Sequence, residues 1–330
     1  SEHHGVKDFA APLRAIPAIE ECIMMRRREA GLAGRVIPSA TLLKPTTISM
    51  QYIQDSVPVG FIWQKLCKLG EGPCGTVYNA IVQSTQGIVA VKEIFINGSF
   101  DAPAVKSVME QNVRLRDNHI LKYYGYERQK ERVSIVMEHC GAASLCKILQ
   151  MGPIEDVDLL KTYCLQILLG LAFLHSNGVV HKNLKPENVL MNFNGTVKLC
   201  DFGNMIPIAI RNKTVVTGVG SRTNRRNLFG SPEFMAPELL IGENYGPSAD
   251  LWSFACLVLF MLTGKRPFED LESDRSVLYN VTVLKRDPYI PGCLEGRLRA
   301  ILNGCFSRDP MARPTAQDLL DDPFFANVPV

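Results

Sequence analysis

The segment LGEGPCGTVY (69–78) sets Gly70, Gly72 and Gly75 between two stretches that both read as strands. FIWQKLCKLGEG precedes the turn, and GTVYNAIVQ and then GIVAVKEIFI follow it. All three are rich in β-branched and aromatic residues and bounded by glycine. A glycine cluster that joins strand to strand is a hairpin. That argues against a Rossmann turn and against a Walker loop, because both of those lead from a strand into a helix. With no Cβ in the way, backbone N–H groups of such a turn can approach phosphate oxygens closely. An ordinary glycine-rich hairpin looks the same, so the pattern means little alone.

It is not alone. Val89-Ala90-Val91-Lys92 ends an apolar strand on a lysine, which in most proteins simply snorkels to solvent. Here Val105, Val108, Met109 and Val113 recur at helical spacing, so 102–115 is expected to be a helix, with Asp101 as N-cap and Pro103 in the first turn. That helix carries Glu110. A Lys92–Glu110 ion pair beneath the glycine loop would aim an ammonium group at α- and β-phosphates. Further strands are expected at Lys122–Tyr126 and Val133–Met137. An apolar stripe then runs through Leu159/Leu160, Tyr163/Cys164, Ile167/Leu168, Leu171 and Leu174 and closes at Asn177-Gly178. Beyond it the chain reads as mainly helical, without internal repeats. The expected architecture is an α+β, bilobal fold: a small mostly-β lobe at about 59–140, a larger mostly-α lobe at about 141–326, and a cleft between them.

A third element, HKNLKPENVL (181–190), is followed by Asp201-Phe202-Gly203. Asn188 and Asp201 are hard oxygen ligands of the kind Mg²⁺ prefers. Lys185 can neutralise charge on a transferring phosphoryl group. A fourth element is SPEFMAPE (231–238), then Asp250 and Trp252 on an apolar helix, then Arg313.

In this order the motifs resemble the eukaryotic protein kinase domain over roughly residues 59–326. LKPEN resembles the serine/threonine branch. The MAPELL segment and the tail RDPMARPTAQDLLDDPFF are most similar to the MAP-kinase-kinase-kinase (STE) group. The resemblance implies ATP and Mg²⁺ as cofactors and a protein hydroxyl as acceptor. Residue by residue, it implies that Gly70, Gly72 and Gly75 cover the phosphates and that Lys92 holds them, oriented by Glu110. Val77, Ala90, Met137 and Leu190 would line the adenine slot, with Met137 as gatekeeper. Glu138 and Cys140 would offer backbone hydrogen bonds to the base. Asn188 and Asp201 would hold the metal, His181 and Phe202 would belong to an internal spine, Asp250 would lie beneath the catalytic loop, and Glu238 would pair with Arg313.

One departure dominates. Asn183 stands where the family has an aspartate that accepts and orients the substrate hydroxyl proton. A carboxylate can take that proton near neutral pH, whereas a carboxamide cannot. The shapes nearly match, so folding and nucleotide binding should survive while transfer weakens. Lys182, next to it, replaces an arginine that in many active members grips a phosphorylated activation segment bidentately. Two adjacent departures fit natural loss, a pseudokinase acting as a scaffold or allosteric partner, better than a single engineered, kinase-dead change. Pro73 and Cys74 occupy the glycine-loop tip, where Pro73 removes one phosphate-binding N–H. Arg114 stands where an apolar spine residue is implied. Ser231 stands where the family usually has a threonine near the catalytic loop, and its hydroxyl is expected to hydrogen-bond Asn183.

Composition limits the remaining choices. Net charge is +3, too small to argue for nucleic acid or a membrane surface. The most apolar stretch, Leu251–Leu262, is about half the length that a bilayer needs, so no membrane span is expected. Asp8, Glu20 and Glu21 interrupt any signal-peptide core. Ten cysteines without a CxxC pair read as reduced thiols. The expected location is therefore intracellular, in the cytoplasm, with nucleus and cytoskeleton left open. Two segments are candidate docking surfaces for a protein partner or substrate. Residues 1–58 form an N-terminal arm with prolines at 12, 17, 38, 45 and 58. Residues 204–235 carry Arg211, Lys213, Arg222, Arg225 and Arg226 against Glu233, a net charge of 5 − 1 = +4.

Overall fold

The computed structural model describes residues 59–72, 75–96, 102–129, 131–141, 143–202, 231–242, 245–294, 296–326 and 328. The expectations for the 1–58 arm, Asp101, Pro73, Cys74 and most of the basic 204–235 segment therefore lie outside the described residues.

The small lobe is one antiparallel sheet of five strands: β1 (Trp63–Gly72), β2 (Gly75–Val82), β3 (Ile88–Phe95), β4 (Tyr123–Gln129) and β5 (Arg132–Glu138), in the order β1-β2-β3-β5-β4. Period-two alternation assigns its faces. Val89 and Val91 pack outward with Ala80, Val82 and Val136 in a small cluster. Ala90 and Ile94 belong to the main core on the other side. Lys92 shares the parity of Ala90 and Ile94, which turns it toward the cleft. Glu93 points the other way, 4% exposed, and pairs with Lys65 of β1 and Arg132 of β5. Gly75 is required at the β1–β2 turn. Its φ is +125°, and a Cβ there would lie 2.2 Å from the Glu93 carbonyl oxygen.

Helix α1 (Ala102–Arg114) packs against β4. Its buried positions are Val105, Met109 and Asn112, one stripe at helical spacing.

The large lobe begins with a short sheet of β6 (Ala143–Ser144), β7 (Val189–Met191) and β8 (Val197–Leu199), with α2 (Leu145–Ile148) between its first two strands. These segments are too short for alternation to reveal, and the sequence reading missed them. Around them lie α3 (Val157–Ser176), α4 (Pro237–Ile241), α5 (Ser248–Thr263), α6 (Asp274–Thr282), α7 (Gly296–Cys305) and α8 (Ala316–Leu320). Asp156 caps α3 by accepting the N–H groups of Asp158 and Leu159. Thr315 and Asp318 form a capping box on α8. The 251–262 stretch is the centre of α5, buried on nearly every side, as an all-apolar helix in a core must be.

By length and composition alone α3 is also long and apolar enough to cross a bilayer. Its apolar stripe is instead spent inside the lobe: Leu160, Cys164, Ile167, Leu168, Leu171 and Leu174 are all buried, against α8, β8 and α5.

Glu238 at the start of α4 meets Arg313 through two parallel hydrogen bonds of 2.6 and 2.9 Å, and Arg313 also donates to the carbonyls of Ser307 and Ser248. Both side chains are almost fully buried. Removing one partner of such a pair strands the other charge without water. Arg313→Ala is therefore expected to destabilise the domain by about 3–5 kcal/mol, read as a lower midpoint in urea unfolding with an unchanged slope.

Candidate active site

The cleft between the lobes has a volume of about 410 Å³. Its ceiling is the inner face of the β-sheet, and cross-strand pairing arranges that face in rows. Val77, Lys92 and Ile135 form one row, and Asn79, Ala90 and Met137 the next. Leu190 of β7 lies among the floor residues, and Glu138, His139, Cys140 and Gly141 form the back wall where the lobes join. Of the residues singled out from sequence, Gly70, Val77, Ala90, Lys92, Met137, Glu138, Cys140, Leu190, Asn188 and Asp201 line this one space. Gly72 and Gly75 do not, and Gly75 answers to strand packing as described above. The back wall is braced: the Glu138 carboxylate accepts from the Lys122 N–H and pairs with buried Lys198 of β8 at 3.2 Å.

The catalytic loop is built on a buried carboxylate. Asp250 is fully buried on α5 and accepts the N–H groups of His181 and Lys182, both at 2.8 Å, while His175 Nε2 lies 2.8 Å from it. Lys182 has a left-handed φ of +65°. That conformation costs a β-carbon-bearing residue about 1–2 kcal/mol, and the charge-assisted bonds to Asp250 offset it. Burial lowers the pKa of His181, so its ring stays neutral, packed edge-on against Phe202. Phe202 in turn meets Tyr123 of β4 edge-on, and the Tyr123 hydroxyl accepts the Asp201 N–H at 2.9 Å. Asp201 is itself left-handed, φ +59°. Tyr123 and the loop around Asn183 thus position the same aspartate from opposite lobes.

The side chain of Asp201 is the meeting point. Lys92 Nζ lies 3.0 Å from its Oδ1, and Asn183 Nδ2 donates to its Oδ2 at 3.2 Å. Asn188 Nδ2 donates to the Asn183 carbonyl at 2.7 Å, which leaves the Asn188 amide oxygen as an acceptor. Lys185 Nζ donates to Ser231 Oγ at 3.4 Å.

Three expectations fail here. Lys92 does not pair with Glu110. Glu110 is exposed, because the inward stripe of α1 passes through Met109 and Asn112 and the helical period turns position 110 to solvent. Arg114 is exposed for the same reason, so it does not occupy a spine position. Ser231 hydrogen-bonds Lys185 rather than Asn183. One contributor was not anticipated from sequence: Tyr123, which hid within a strand and whose hydroxyl acts only once β4 lies against the Asp201 turn.

Residue chemistry is compatible with a divalent cation. Asp201 offers a carboxylate and Asn188 a neutral oxygen, both hard donors. No group of three or more His, Cys, Asp or Glu that could hold a metal exists among the described residues. An ion held by Asn188 and Asp201 would thus complete its oxygen shell with phosphates and water, the usual manner for Mg²⁺.

This bilobal fold, with lysine, asparagine and aspartate gathered in its cleft, is that of a protein kinase domain. Residues 63–325 match the protein kinase domain family, and the chain belongs to it. It is similar to serine/threonine-protein kinase SSK22 of Saccharomyces cerevisiae, 34% identical over 331 residues, covering 96% of this chain and 24% of that protein. It is similar to MAP kinase kinase kinase wis4 of Schizosaccharomyces pombe, at 34% identity, covering 80% of this chain and 19% of that protein. Human mitogen-activated protein kinase kinase kinase 4 is 30% identical over 325 residues, 96% of this chain and 20% of that protein. The chain spans about a quarter or less of the length of these relatives. Family membership implies ATP and Mg²⁺ as cofactors and a protein substrate.

Two predictions come from this geometry. Asn183→Asp replaces an amide donor with a second carboxylate 3.2 Å from Asp201. Like charges this close repel, so in metal-free buffer the variant is expected to melt several degrees below the parent. Mg²⁺ with nucleotide should close that gap. The second concerns cleft thiols. Burial, reinforced by the Glu138 charge, pushes Cys140 up to about 12, and burial beside Asp201 raises Cys200 as well. At pH 7.5 both are almost wholly thiols, the unreactive form. Peptide mapping after brief iodoacetamide treatment should find exposed Cys293 alkylated and Cys140 and Cys200 unlabelled.

Proposed function

We propose that this chain is a Mg·ATP-binding serine/threonine kinase-like domain whose phosphoryl transfer to protein hydroxyls is severely weakened by Asn183. The observation that carries the reading is the hydrogen bond from Asn183 Nδ2 to Asp201 Oδ2. The lone pair of an amide nitrogen is delocalised into its carbonyl, so the group donates and does not take up a substrate proton. In this orientation it also faces the aspartate expected to hold the metal, rather than an incoming hydroxyl. Lys92, Asn188 and Asp201 still share one cleft with the apolar slot for a base, which supports retention of nucleotide binding. When bound, Mg²⁺ would supply charge neutralisation on the phosphates. The residues present would do the rest: Lys92 binds and orients, Asn188 and Asp201 hold, and Lys185 neutralises charge from the Ser231 side.

A second reading, a pseudokinase that scaffolds or allosterically supports a partner, is favoured by Lys182. Its ammonium lies 4.7 Å from the centre of the Tyr245 ring, a cation–π contact. A lysine engaged in this way is poorly suited to grip a phosphorylated activation segment. In this reading the 1–58 arm and the basic 204–235 segment serve as docking surfaces for an acidic or phosphorylated protein. Eight described cysteines without a disulfide fit an intracellular setting.

The discriminating assay incubates the purified chain and its Asn183→Asp variant with labelled ATP, Mg²⁺ and a generic protein substrate. General acid–base help is worth roughly 10²–10⁴ in rate, and a gain of that order on reversion is the expected result. Silence from both proteins would remove the enzyme reading and leave the scaffold.

A further inference from the structure

One polar side chain in the cleft has no role in the family-derived reading. On the inner face of the sheet, strand alternation presents Val77 and Asn79 from β2, Ala90 and Lys92 from β3, and Ile135 and Met137 from β5. Asn79 is the only uncharged polar residue of these six. It is 2% exposed, yet it lines the cleft. Its Nδ2 donates to Cys67 Sγ at 3.5 Å, and its Oδ1 is buried without a partner. A bare buried amide oxygen is costly, and native structures rarely retain one without a reason. The thiol that takes the nitrogen fixes which end of the amide is left free.

Its place in the sheet says which part of a ligand it meets. The row that contains Lys92 runs through Val77 and Ile135, and Lys92 marks the phosphate end by its approach to Asp201. Asn79 lies in the neighbouring row, on a rung with Ala90 and Met137, one step closer to the back wall at Glu138–Cys140. That is the end where the base would sit. An acceptor at this point calls for a ligand N–H, and on a purine the exocyclic 6-amino group can supply one.

We propose that Asn79 is a base-specificity residue whose Oδ1 accepts a hydrogen bond from the 6-amino group of the bound purine nucleotide. The proposal rests on the nucleotide-binding reading above and deepens it. The Glu138 backbone would read one hydrogen of that group and Asn79 the other, so a purine without the amino group leaves the buried oxygen bare. Sites built to hydrogen-bond a substrate group reject the analogue that lacks it for this reason.

The test measures Kd values by titration calorimetry, in Mg²⁺, for ATP, for purine riboside triphosphate, which lacks only the amino group, and for inosine triphosphate, which carries an oxygen there. Asn79→Leu and Asn79→Val remove the acceptor, and circular dichroism with a melting curve establishes that each is folded. The parent should prefer ATP at least tenfold. Either variant should cut that preference about five- to tenfold, the worth of one hydrogen bond, while affinity for the des-amino nucleotide holds or rises. A parent preference within twofold would overturn the proposal, whatever the variants do. So would an unchanged ratio in a folded variant, or a parent preference for inosine triphosphate, which would mean the amide donates instead. Failure of every triphosphate to bind the parent would sink the nucleotide-binding reading itself. Binding without base discrimination would sink this proposal alone.

Discussion

A single carboxylate, Asp201, holds the site together. Lys92 reaches it from the small lobe at 3.0 Å and Asn183 from the large lobe at 3.2 Å, while Tyr123 of β4 accepts its backbone N–H. The backbone at Asp201 is left-handed, a conformation that surrounding contacts must enforce. Those contacts reach back to Asp250, whose fully buried carboxylate gathers the N–H groups of the 181–182 loop. Two aspartates, one exposed to the cleft and one sealed beneath it, therefore fix the relation between the lobes and the loop on which transfer would occur.

The replacement at position 183 changes this electrostatic arrangement more than it changes shape. An aspartate there would face Asp201 as a second negative charge and depend on a cation to be tolerated. The amide instead donates to Asp201, so the pair is compatible without one. The amide nitrogen of Asn183 thereby tethers the catalytic loop to Asp201. Lys182 shows a parallel shift, its charge resting on the Tyr245 ring. At both positions the side chain makes a local contact, Asn183 with Asp201 and Lys182 with Tyr245.

The relation of Lys92 to α1 shows a resemblance and a periodicity pulling apart. Hydrophobic recurrence at Val105, Met109 and Val113 indicated a helix at 102–115, observed as Ala102–Arg114. The same recurrence marks the inward face, and Glu110, the ion-pair partner implied by the resemblance, falls outside it. One step of about 100° separates Met109 in the core from Glu110 in solvent, and that step decides whether an ion pair can form. Asn112 is buried although polar, and it interrupts the apolar pattern of that face.

Strand alternation and glycine placement indicated the two lobes, and the resemblance of the motifs to the protein kinase domain indicated ten residues that the structure brings to one cleft, because periodicity and motif order are carried by the chain itself. Partner choice was not legible. That Lys92 takes Asp201, that Ser231 takes Lys185, and that the Tyr123 hydroxyl meets the Asp201 backbone all join positions distant in the chain. Such contacts are decided by packing angles and strand rows, and these exist only after the sheet, α1 and α5 have come together.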